Sequence, residues 1–321
     1  MPKQNLSRRG LLGAVAASLP ASLSEARAAE KAPPRAVLDT DTYNEIDDQY
    51  AVAYAVLAPE AMRLEAIYAA PFLNNRSRSA GDGMEKSYEE ILRVLDRLGR
   101  KDFKEAYRGS QSFMAGAGRA VDSPAARNLI ERAMKGGDSR LYVLTVGAPT
   151  NVSSAILMEP KIKDRIVVVW LGGQPYDRPS AREFNLQQDI HASRVLYDSG
   201  VNLVNIPTTN ISEMLRTTTA ELERFIKGKS PIGTYLFDIF VEYAREHKQD
   251  DSKPWSKVIW DISAVAYLVN ARWVETKTVP SPILKDGFTW GHDPKRHPVT
   301  VATHIDRDGI FGDLFARLVR A

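Results

Sequence analysis

The sequence predicts an α/β protein built on a doubly wound, mainly parallel sheet within a single large domain. Apolar runs alternate with segments of helical periodicity, which indicates repeated strand–helix–strand units with helices on both faces of the sheet. No change in composition, internal repeat or low-complexity segment divides the 321-residue chain. In addition, the unusual polar clusters follow predicted strands, at the edge of the sheet where α/β proteins carry their sites.

The first half of the chain predicts three strands and three helices in alternation. The strands are the apolar runs at residues 35–38, 64–70 and 141–146. The helices repeat apolar residues every three or four positions over residues 46–58, 84–98 and 150–158. Pro59 and Gly99 end the first two helices, because proline lacks a backbone donor and glycine favours the left-handed turn after a helix.

The second half continues this alternation and then changes character. A β-branched strand at residues 166–171 is followed by a helix at 189–199 and a strand at 201–206. Two helices lie between residues 217 and 247, and a short apolar helix covers residues 261–270. Strands and turns are predicted over residues 272–303, and a closing helix over residues 310–319.

The composition is that of an ordinary globular protein, with 44% hydrophobic and 26% charged residues. It excludes a collagen-like, coiled-coil or wholly disordered chain. No apolar run reaches the roughly 18 residues that a spanning helix needs, so no membrane span is predicted. Because the chain has no cysteine, disulfides, thiolate metal sites and cysteine nucleophiles are excluded as well.

The N-terminus has the features of an export signal. Residues 1–28 combine the pair Arg8 and Arg9, a mildly apolar stretch, and a small-x-small cleavage site at residues 26–28. The arginine pair predicts the twin-arginine export machinery as a partner and a periplasmic or extracellular location. An amphipathic first helix of the domain is the alternative interpretation. Residues 29–34 would form a short leader after cleavage.

The positive charge of the chain lies in that N-terminal segment. The full sequence has 43 basic and 40 acidic residues, a formal net charge of +3. Residues 1–28 hold four of the basic residues and one of the acidic ones, so 39 of each sign remain afterwards. A neutral mature chain has no basic excess to bind phosphates, and nucleic acid is therefore excluded as a partner.

Five acidic residues follow the first predicted strand within ten positions: Asp39, Asp41, Glu45, Asp47 and Asp48. Carboxylates this close repel one another unless a cation or a helix N-terminus neutralises them. A bound hard cation is favoured, and ligands that are all oxygen indicate Ca²⁺ or Mg²⁺. A capped, solvated helix start with two surplus acids is the alternative. The spacing does not fit an EF-hand loop.

Four segments, in order, are similar to signature segments of one enzyme family. Residues 39–51, DTDTYNEIDDQYA, resemble the D-x-D-P-G-x-D-D motif of the inosine-uridine-preferring nucleoside hydrolases. Residues 144–151, LTVGAPTN, are similar to that family's strand-to-helix segment. WLGG at 170–173, followed by E-F-N at 183–185, resembles its next stretch, and Asp261 before an apolar helix resembles its late aspartate.

This resemblance implies a nucleoside hydrolase-like fold with a catalytic domain over residues 35–321. It implies a Ca²⁺-dependent hydrolase that cleaves ribonucleosides to base and ribose, and the N-terminal signal predicts that this enzyme is exported. N-glycoside hydrolysis passes through an oxocarbenium-like state, which nearby carboxylates stabilise. A calcium ion can position water and lower its pKa.

The resemblance also implies roles for individual residues. Asp41 would bind Ca²⁺ and act as general base on the metal-bound water. The other protein ligands would be Asp48, the backbone carbonyl of Val146, and Asp261. The ribose hydroxyl groups would be held by Asp47, Glu183 and Asn185. For Glu183 and Asn185, a turn and cap before the next helix is the alternative, and Asp39 would support the loop.

The sequence departs from the family pattern in its first loop and before its late aspartate. The loop is two residues longer, so either Tyr43 or Asn44 enters the site or the extra residues face solvent. Trp260 stands where uridine-cleaving members place a histidine as leaving-group acid. Its ring could stack on a base, as in purine-preferring members, which predicts a purine bias. The alternative is that Trp260 only packs in the core.

Two sugar contacts of the family are also altered. Asp177 stands at the position of an asparagine that contacts the sugar, and we expect it at the substrate site. The family's glycine–asparagine pair after the second strand is absent, and Asn74 or Asn75 is expected to replace it. No leaving-group acid can be assigned to any residue.

Other functions remain open at this point. The same fold and metal could serve another ribosyl or glycosyl substrate, or the protein could bind sugars or nucleosides without catalysis. Retention of Asp41, the presumed base, argues against a binding protein. The resemblance also implies a homo-oligomer, although no interface is indicated by the sequence.

Overall fold

An eight-stranded sheet forms the centre of the protein in the computed structural model, which describes residues 32–137, 139–247 and 255–321. The strands along the described chain are β1 (Arg35–Thr40), β2 (Arg63–Ala69), β3 (Ala106–Arg108), β4 (Leu141–Thr145), β5 (Ile166–Leu171), β6 (Asn202–Ile206), β7 (Arg216–Thr218), β8 (Ser256–Val258), β9 (Val274–Pro280), β10 (Ile283–Lys285), β11 (Thr289–Gly291) and β12 (Pro298–Ile305). In the sheet they lie in the order β3-β2-β1-β4-β5-β6-β12-β9. Two small antiparallel ribbons pair β7 with β8 and β10 with β11.

Neighbouring strands of the large sheet are parallel except at one edge. β1 pairs in parallel with both β2 and β4, and parallel pairing continues through β5, β6 and β12. β9 forms the edge, antiparallel to β12. The chain moves outward from β1 to β3 and then crosses back to β4. The strand order therefore reverses between β1 and β4, and such a switch point opens a crevice at the carboxyl ends of the strands.

Helices cover both faces of this sheet. They are α1 (Asp48–Val56), α2 (Ala80–Arg97), α3 (Pro124–Lys135), α4 (Thr150–Met158), α5 (Phe184–Gln188), α6 (Ile190–Asp198), α7 (Thr219–Phe225), α8 (Pro231–Glu246), α9 (Ile262–Val269) and α10 (Arg307–Arg320). α1, α2, α8, α9 and α10 pack on one face, and α3, α4 and α6 pack on the other. No described helix combines the length and apolar character that crossing a bilayer requires.

Successive side chains of the central strands point alternately into two hydrophobic cores. In β1, Val37 points into one core and Leu38 into the other, and Val168 and Val169 of β5 do the same. Burial on both faces explains why these strands are continuous apolar runs. The chain from Pro33 to Ala321 forms one compact unit. The predicted doubly wound, mainly parallel single domain is thus confirmed, while the predicted signal at residues 1–28 lies outside the described residues.

The sequence analysis did not predict α3, and it placed the start of α2 at residue 84, whereas the helix begins at Ala80. Ser123 caps α3 by accepting a hydrogen bond from the backbone N–H of Ala126 at 3.1 Å, and a proline occupies the first turn. Ser79 caps α2 in the same way through the N–H of Asp82, also at 3.1 Å. The first turn of α2 contains two glycines, which are poor helix formers and hide its start from a periodicity argument.

Candidate functional site

A cavity of about 290 Å³ opens at the carboxyl ends of β1, β4, β5 and β6, beside the switch point. The loops after these four strands line it, together with the residues just before α9. Seven of the ten predicted site residues line this cavity: Asp41, Asp47, Val146, Glu183, Asn185, Trp260 and Asp261. Residues separated by more than 200 positions are therefore brought to one place by the parallel sheet.

Asp41 lies directly after β1 and is fully buried. Neither of its carboxylate oxygens has a hydrogen-bond partner among the described residues. Its backbone carbonyl accepts a hydrogen bond from the N–H of Asn44 at 2.7 Å, which turns the first loop back toward the sheet. A buried carboxylate without donors is costly, so this side chain is arranged for a group that it does not find within the protein.

The neighbours of Asp41 are held by the protein itself. Asp48 Oδ1 accepts a hydrogen bond from the hydroxyl of Thr40 at 2.5 Å. Asp39 Oδ1 accepts one from Asn151 Nδ2 at 2.8 Å, and the same amide donates to the carbonyl of Ala69 at 3.1 Å. Through this amide, Asp39 is connected to the end of β2.

Burial controls the protonation of these acids. It raises the pKa of Asp41 well above its usual value, and the carboxylates of Asp48 and Asp47 raise it further. Burial, and after it the charge of Asp47, raises the pKa of Asp48 to about 7. The pKa of Asp261 is raised well above its usual value by burial and by its acidic neighbours. Removing several like charges from water is unfavourable unless a cation shares the site.

Three carboxylates are close enough to hold a metal ion together. Asp47, Asp48 and Asp261 each offer an oxygen within 4.8 Å of the other two. The predicted ligands Asp48 and Asp261 belong to this group, while Asp47 was expected to contact ribose instead. Donors that are all oxygen suit a hard divalent cation. The unpartnered oxygens of Asp41 lie buried beside these acids, whose charges raise its pKa, so the donor chemistry present fits such an ion.

Val146 and Asn185 are linked across the cavity. Asn185 Nδ2 donates to the carbonyl oxygens of Val146 and Leu171, both at 3.1 Å. This amide fixes the ends of β4 and β5 relative to each other. Because a carbonyl oxygen has two lone pairs, that of Val146 keeps one for a further partner.

Glu183 is the N-cap residue of α5. Its carboxylate accepts hydrogen bonds from the backbone N–H groups of Gly173 at 2.8 Å, Asn185 at 3.0 Å and Leu186 at 3.1 Å. Gly173 adopts a positive φ of 74°, a conformation that favours glycine. Glu183 is therefore a capping residue, as the alternative held, but of the unpredicted short helix α5, since Asp189 caps α6; it lines the cavity as well.

Trp260 is half-buried at the wall of the cavity. Its backbone N–H donates to Asp47 Oδ2 at 3.1 Å. The other oxygen of Asp47 lies 3.7 Å from the ammonium of Lys257, which also forms an ion pair with Glu45. Burial raises the pKa of Asp47, and the charge of Lys257 opposes that rise. Asp47 thus joins the first loop to the segment that carries Trp260.

Gly147 makes room for Asp41. A Cβ atom at residue 147 would lie 3.0 Å from Asp41 Cγ and 3.2 Å from the Cβ of Ala70. Both distances are tighter than ordinary contacts between carbon atoms. A side chain after β4 would therefore press on the buried carboxylate, and the glycine avoids this contact.

Three predicted residues do not line the cavity. Asp48 lies behind it, bonded to Thr40. Asn74 Nδ2 donates to Asn44 Oδ1 at 2.7 Å, so it supports a residue that lines the cavity. Asp177 is exposed and lines a second cavity of about 640 Å³ instead, which does not favour its expected sugar contact. Of the two extra-loop candidates, Asn44 enters the site.

Several lining residues were not predicted from the sequence: Gln174, Thr208, Thr209 and Glu213. Gln174 follows the glycine pair after β5, and its side-chain oxygen is buried without a partner among the described residues. The two threonines follow β6. Their position after a strand is the only sequence signal that could have identified them, since their residue types are not distinctive.

A family model described as "Inosine-uridine preferring nucleoside hydrolase" matches residues 36–312. The inosine-uridine preferring nucleoside hydrolase of Leishmania major is 25% identical over 192 residues, which are 56% of this chain and 60% of that protein. The pyrimidine-specific ribonucleoside hydrolase RihB of Escherichia coli O139:H28 is 27% identical over 165 residues, 50% of this chain and 51% of that protein. The chain thus spans between half and two thirds of the length of these relatives.

Solved structures share the fold over most of the chain. A plant nucleoside hydrolase, PpNRh1, has a TM-score of 0.69 and 20% identity, covering 90% of this chain and 100% of that chain. A purine-preferring ribonucleoside hydrolase from Gardnerella vaginalis has a TM-score of 0.67 and 21% identity, with coverage of 89% and 98%. At this level of identity the similarity establishes the fold.

Proposed function

Because this chain belongs to the inosine-uridine preferring nucleoside hydrolase family, we propose that it hydrolyses the N-glycosidic bond of ribonucleosides to give base and ribose. The observation that carries the proposal is Asp41, a buried carboxylate that lines the cavity with both oxygens unpartnered among the described residues. The family match confirms the resemblance predicted from the four sequence segments.

Calcium is the cation proposed for the site. Asp41, Asp48 and Asp261, with the carbonyl of Val146, would hold it, since Ca²⁺ favours several oxygen ligands in flexible geometry. When bound, the ion would lower the pKa of a water molecule and offset the charge of the buried acids. The metal-binding character rests on the carboxylate group at Asp47, Asp48 and Asp261, and the choice of calcium is part of the proposal.

Asp41 is proposed as the general base. The oxygen of water forms a bond to C1′ of the ribose as the bond from C1′ to the base nitrogen breaks, and its electron pair leaves with the base. Asp41 accepts the proton that the water loses. Burial raises the pKa of this carboxyl in the metal-free protein, and a bound cation would lower it again, so that Asp41 would be ionised and able to accept the proton.

The walls of the cavity are proposed to stabilise and orient the sugar. Asp47 and Asp261 place negative charge beside the carbon that becomes positive in the transition state. Asn185 and Glu183, already fixed by backbone contacts, would give the ribose a preorganised surface. Asn74 would contribute indirectly, by holding Asn44 at the cavity.

A purine bias is proposed for the base. Trp260 at the cavity wall offers a ring face on which a bicyclic base gains more stacking area than a monocyclic one. No histidine of the described chain lines the cavity, so no imidazole acid is present there. A stacked purine would then take its proton from solvent.

Export by the twin-arginine pathway remains a proposal as well. It rests on Arg8, Arg9 and the cleavage site in residues 1–28. Fractionation of cells that produce the full chain should place the mature protein outside the cytoplasm. Replacing both arginines with lysine should retain it inside, and an unchanged location would contradict the pathway.

The activity is tested with a panel of nucleosides. The purified protein with added Ca²⁺ should release free base and ribose, fastest from purine ribonucleosides. Asp41→Asn should abolish release. If only another ribosyl or glycosyl compound is hydrolysed, that compound class is the substrate instead. If calorimetry detects nucleoside binding without turnover, the protein is a binding protein.

A further inference from the structure

Lys257 carries a buried positive charge at the edge of the site. Its side chain is only 9% exposed, and its ammonium forms an ion pair with Glu45 and lies 3.7 Å from Asp47 Oδ1. The ammonium also lies 5.2 Å from the centre of the Tyr243 ring, a distance at which a cation and an aromatic face attract. A lysine surrounded by such groups remains protonated.

The acids of the site fall into two sets, those that interact with Lys257 and those that do not. Both oxygens of Asp47 face donors within the protein, the ammonium of Lys257 and the backbone N–H of Trp260. Both oxygens of Asp41 lack a partner among the described residues. Distance alone would group Asp47 with the ion-binding carboxylates. Asp47 instead already interacts with two groups of the protein, whereas the oxygens of Asp41 have no partner among the described residues.

We propose that Lys257 is a positioning residue that serves as an internal counter-cation. It binds Glu45 and Asp47, and thereby reserves Asp41, Asp48 and Asp261 for a divalent ion. The inference rests on the proposed function for the identity of that ion and for its kinetic readout. Ion binding itself is measured without turnover, so failure of the catalytic proposal leaves it testable.

The same contacts explain what Lys257 does for the substrate. Glu45 belongs to the lengthened first loop, and Lys257 lies on β8, three positions before Trp260. The ion pair ties these two segments together, and both line the cavity. The lysine therefore adds a second connection between this loop and the Trp260 wall, beside the direct hydrogen bond from the Trp260 N–H to Asp47.

The test replaces Lys257 with methionine, which keeps most of the length of the side chain and removes its charge. Calcium titration of the chelator-treated protein by calorimetry should give about tenfold tighter binding, because a nearby positive charge has been removed. The KM for a purine nucleoside should rise about tenfold, because Glu45 and Asp47 lose the ammonium that helps to hold the first loop, and only the hydrogen bond from the Trp260 N–H still joins that loop to the cavity wall. Opposite changes in ion and substrate affinity distinguish this role from general destabilisation, which would weaken both.

Two controls accompany that variant. Lys257→Arg keeps the charge and should hold the calcium affinity within about twofold of the original. Lys295→Met makes the same substitution at an exposed lysine and should change neither quantity. Calcium affinity that stays unchanged or weakens in a folded Lys257→Met protein would overturn the proposal.

If Lys257→Met does not fold, Lys257→Gln is titrated instead, since its amide can still donate to Glu45. Tighter calcium binding in this neutral variant supports the counter-cation role. If neither neutral variant folds while Lys257→Arg does, Lys257 acts in stability alone and the proposal is overturned.

Discussion

Replacing Asp41 with asparagine should stabilise the metal-free protein and at the same time abolish its activity. The side chain keeps its shape but loses a negative charge that faces Asp47 and Asp48 in a fully buried setting. Two such charges about 4 Å apart repel by about 4 kcal/mol at an effective dielectric constant near 20. The metal-free protein can avoid part of this repulsion by protonating Asp41. We therefore expect Asp41→Asn to raise the free energy of unfolding by about 2–3 kcal/mol.

Thermal unfolding in excess chelator at pH 7 measures this gain. For a chain of this size, whose entropy of unfolding is about 0.6 kcal/mol/K, it corresponds to a rise in Tm of roughly 3–5 °C. Calcium should raise the Tm of the original protein and have much less effect on Asp41→Asn, because a ligand stabilises only the state that binds it. Nucleoside hydrolysis by the variant should fall by at least about a thousandfold, as expected when a general base and ion ligand is lost.

Asp102→Asn provides the control, because that acid is exposed and pairs only with Arg100, at 3.2 Å, among its described neighbours. It should change stability by no more than about 0.5 kcal/mol. If Asp41→Asn lowers the Tm in chelator, the carboxylate is stabilised by contacts that the structure does not contain. If calcium stabilises both proteins equally, Asp41 is not a ligand.

Three further predictions concern the same site. Trp260→Ala should lower kcat/KM for a purine nucleoside about tenfold, while Trp260→Phe should recover part of it, because stacking contributes about 1–1.5 kcal/mol. If the original protein and both variants have the same kcat/KM, Trp260 only packs in the core and does not contact the base. Gly147→Ala should cost about 1–3 kcal/mol in urea unfolding and weaken calcium binding, since its Cβ would crowd Asp41. Unchanged calcium affinity would contradict that reasoning. The metal-free protein should lose stability as the pH rises from about 4 to about 7, because the native state retains protons on Asp39 and Asp48, whose folded pKa values are about 7, after the unfolded chain has released them. Stability that rises over this range in chelator would refute it.

The fold could be predicted well where both faces of an element are buried. Helix 150–158 and strand 166–171 were predicted with the bounds that the structure shows. The strand is an unbroken apolar run, and the helix is buried along all but its last two residues. Helix α3 was missed because its apolar positions are few and its start depends on the cap at Ser123. Capping is a local hydrogen bond that periodicity does not report.

The candidate site could be predicted where its residues lie in short segments beside strand ends. Asp41 and Asp47 share one loop, and Asn185 lies close to the end of β5 in the sequence. The pairing of Lys257 with Glu45 joins residues more than 200 positions apart, and it depends on the path of a lengthened loop. The position of Asp177 at a second cavity depends on a loop path in the same way. The spacing of residues along the sequence does not predict the path of a loop, so neither contact could be predicted from it.

The most direct test of the central claim is quantitative hydrolysis of inosine by the purified protein in the presence of calcium. The account predicts equal amounts of hypoxanthine and ribose, formation that stops when the calcium is chelated, and no product with Asp41→Asn. Product formation that continues in Asp41→Asn at the original rate would contradict the assignment of the base. Tight inosine binding with no product, with calcium present, would contradict catalysis itself.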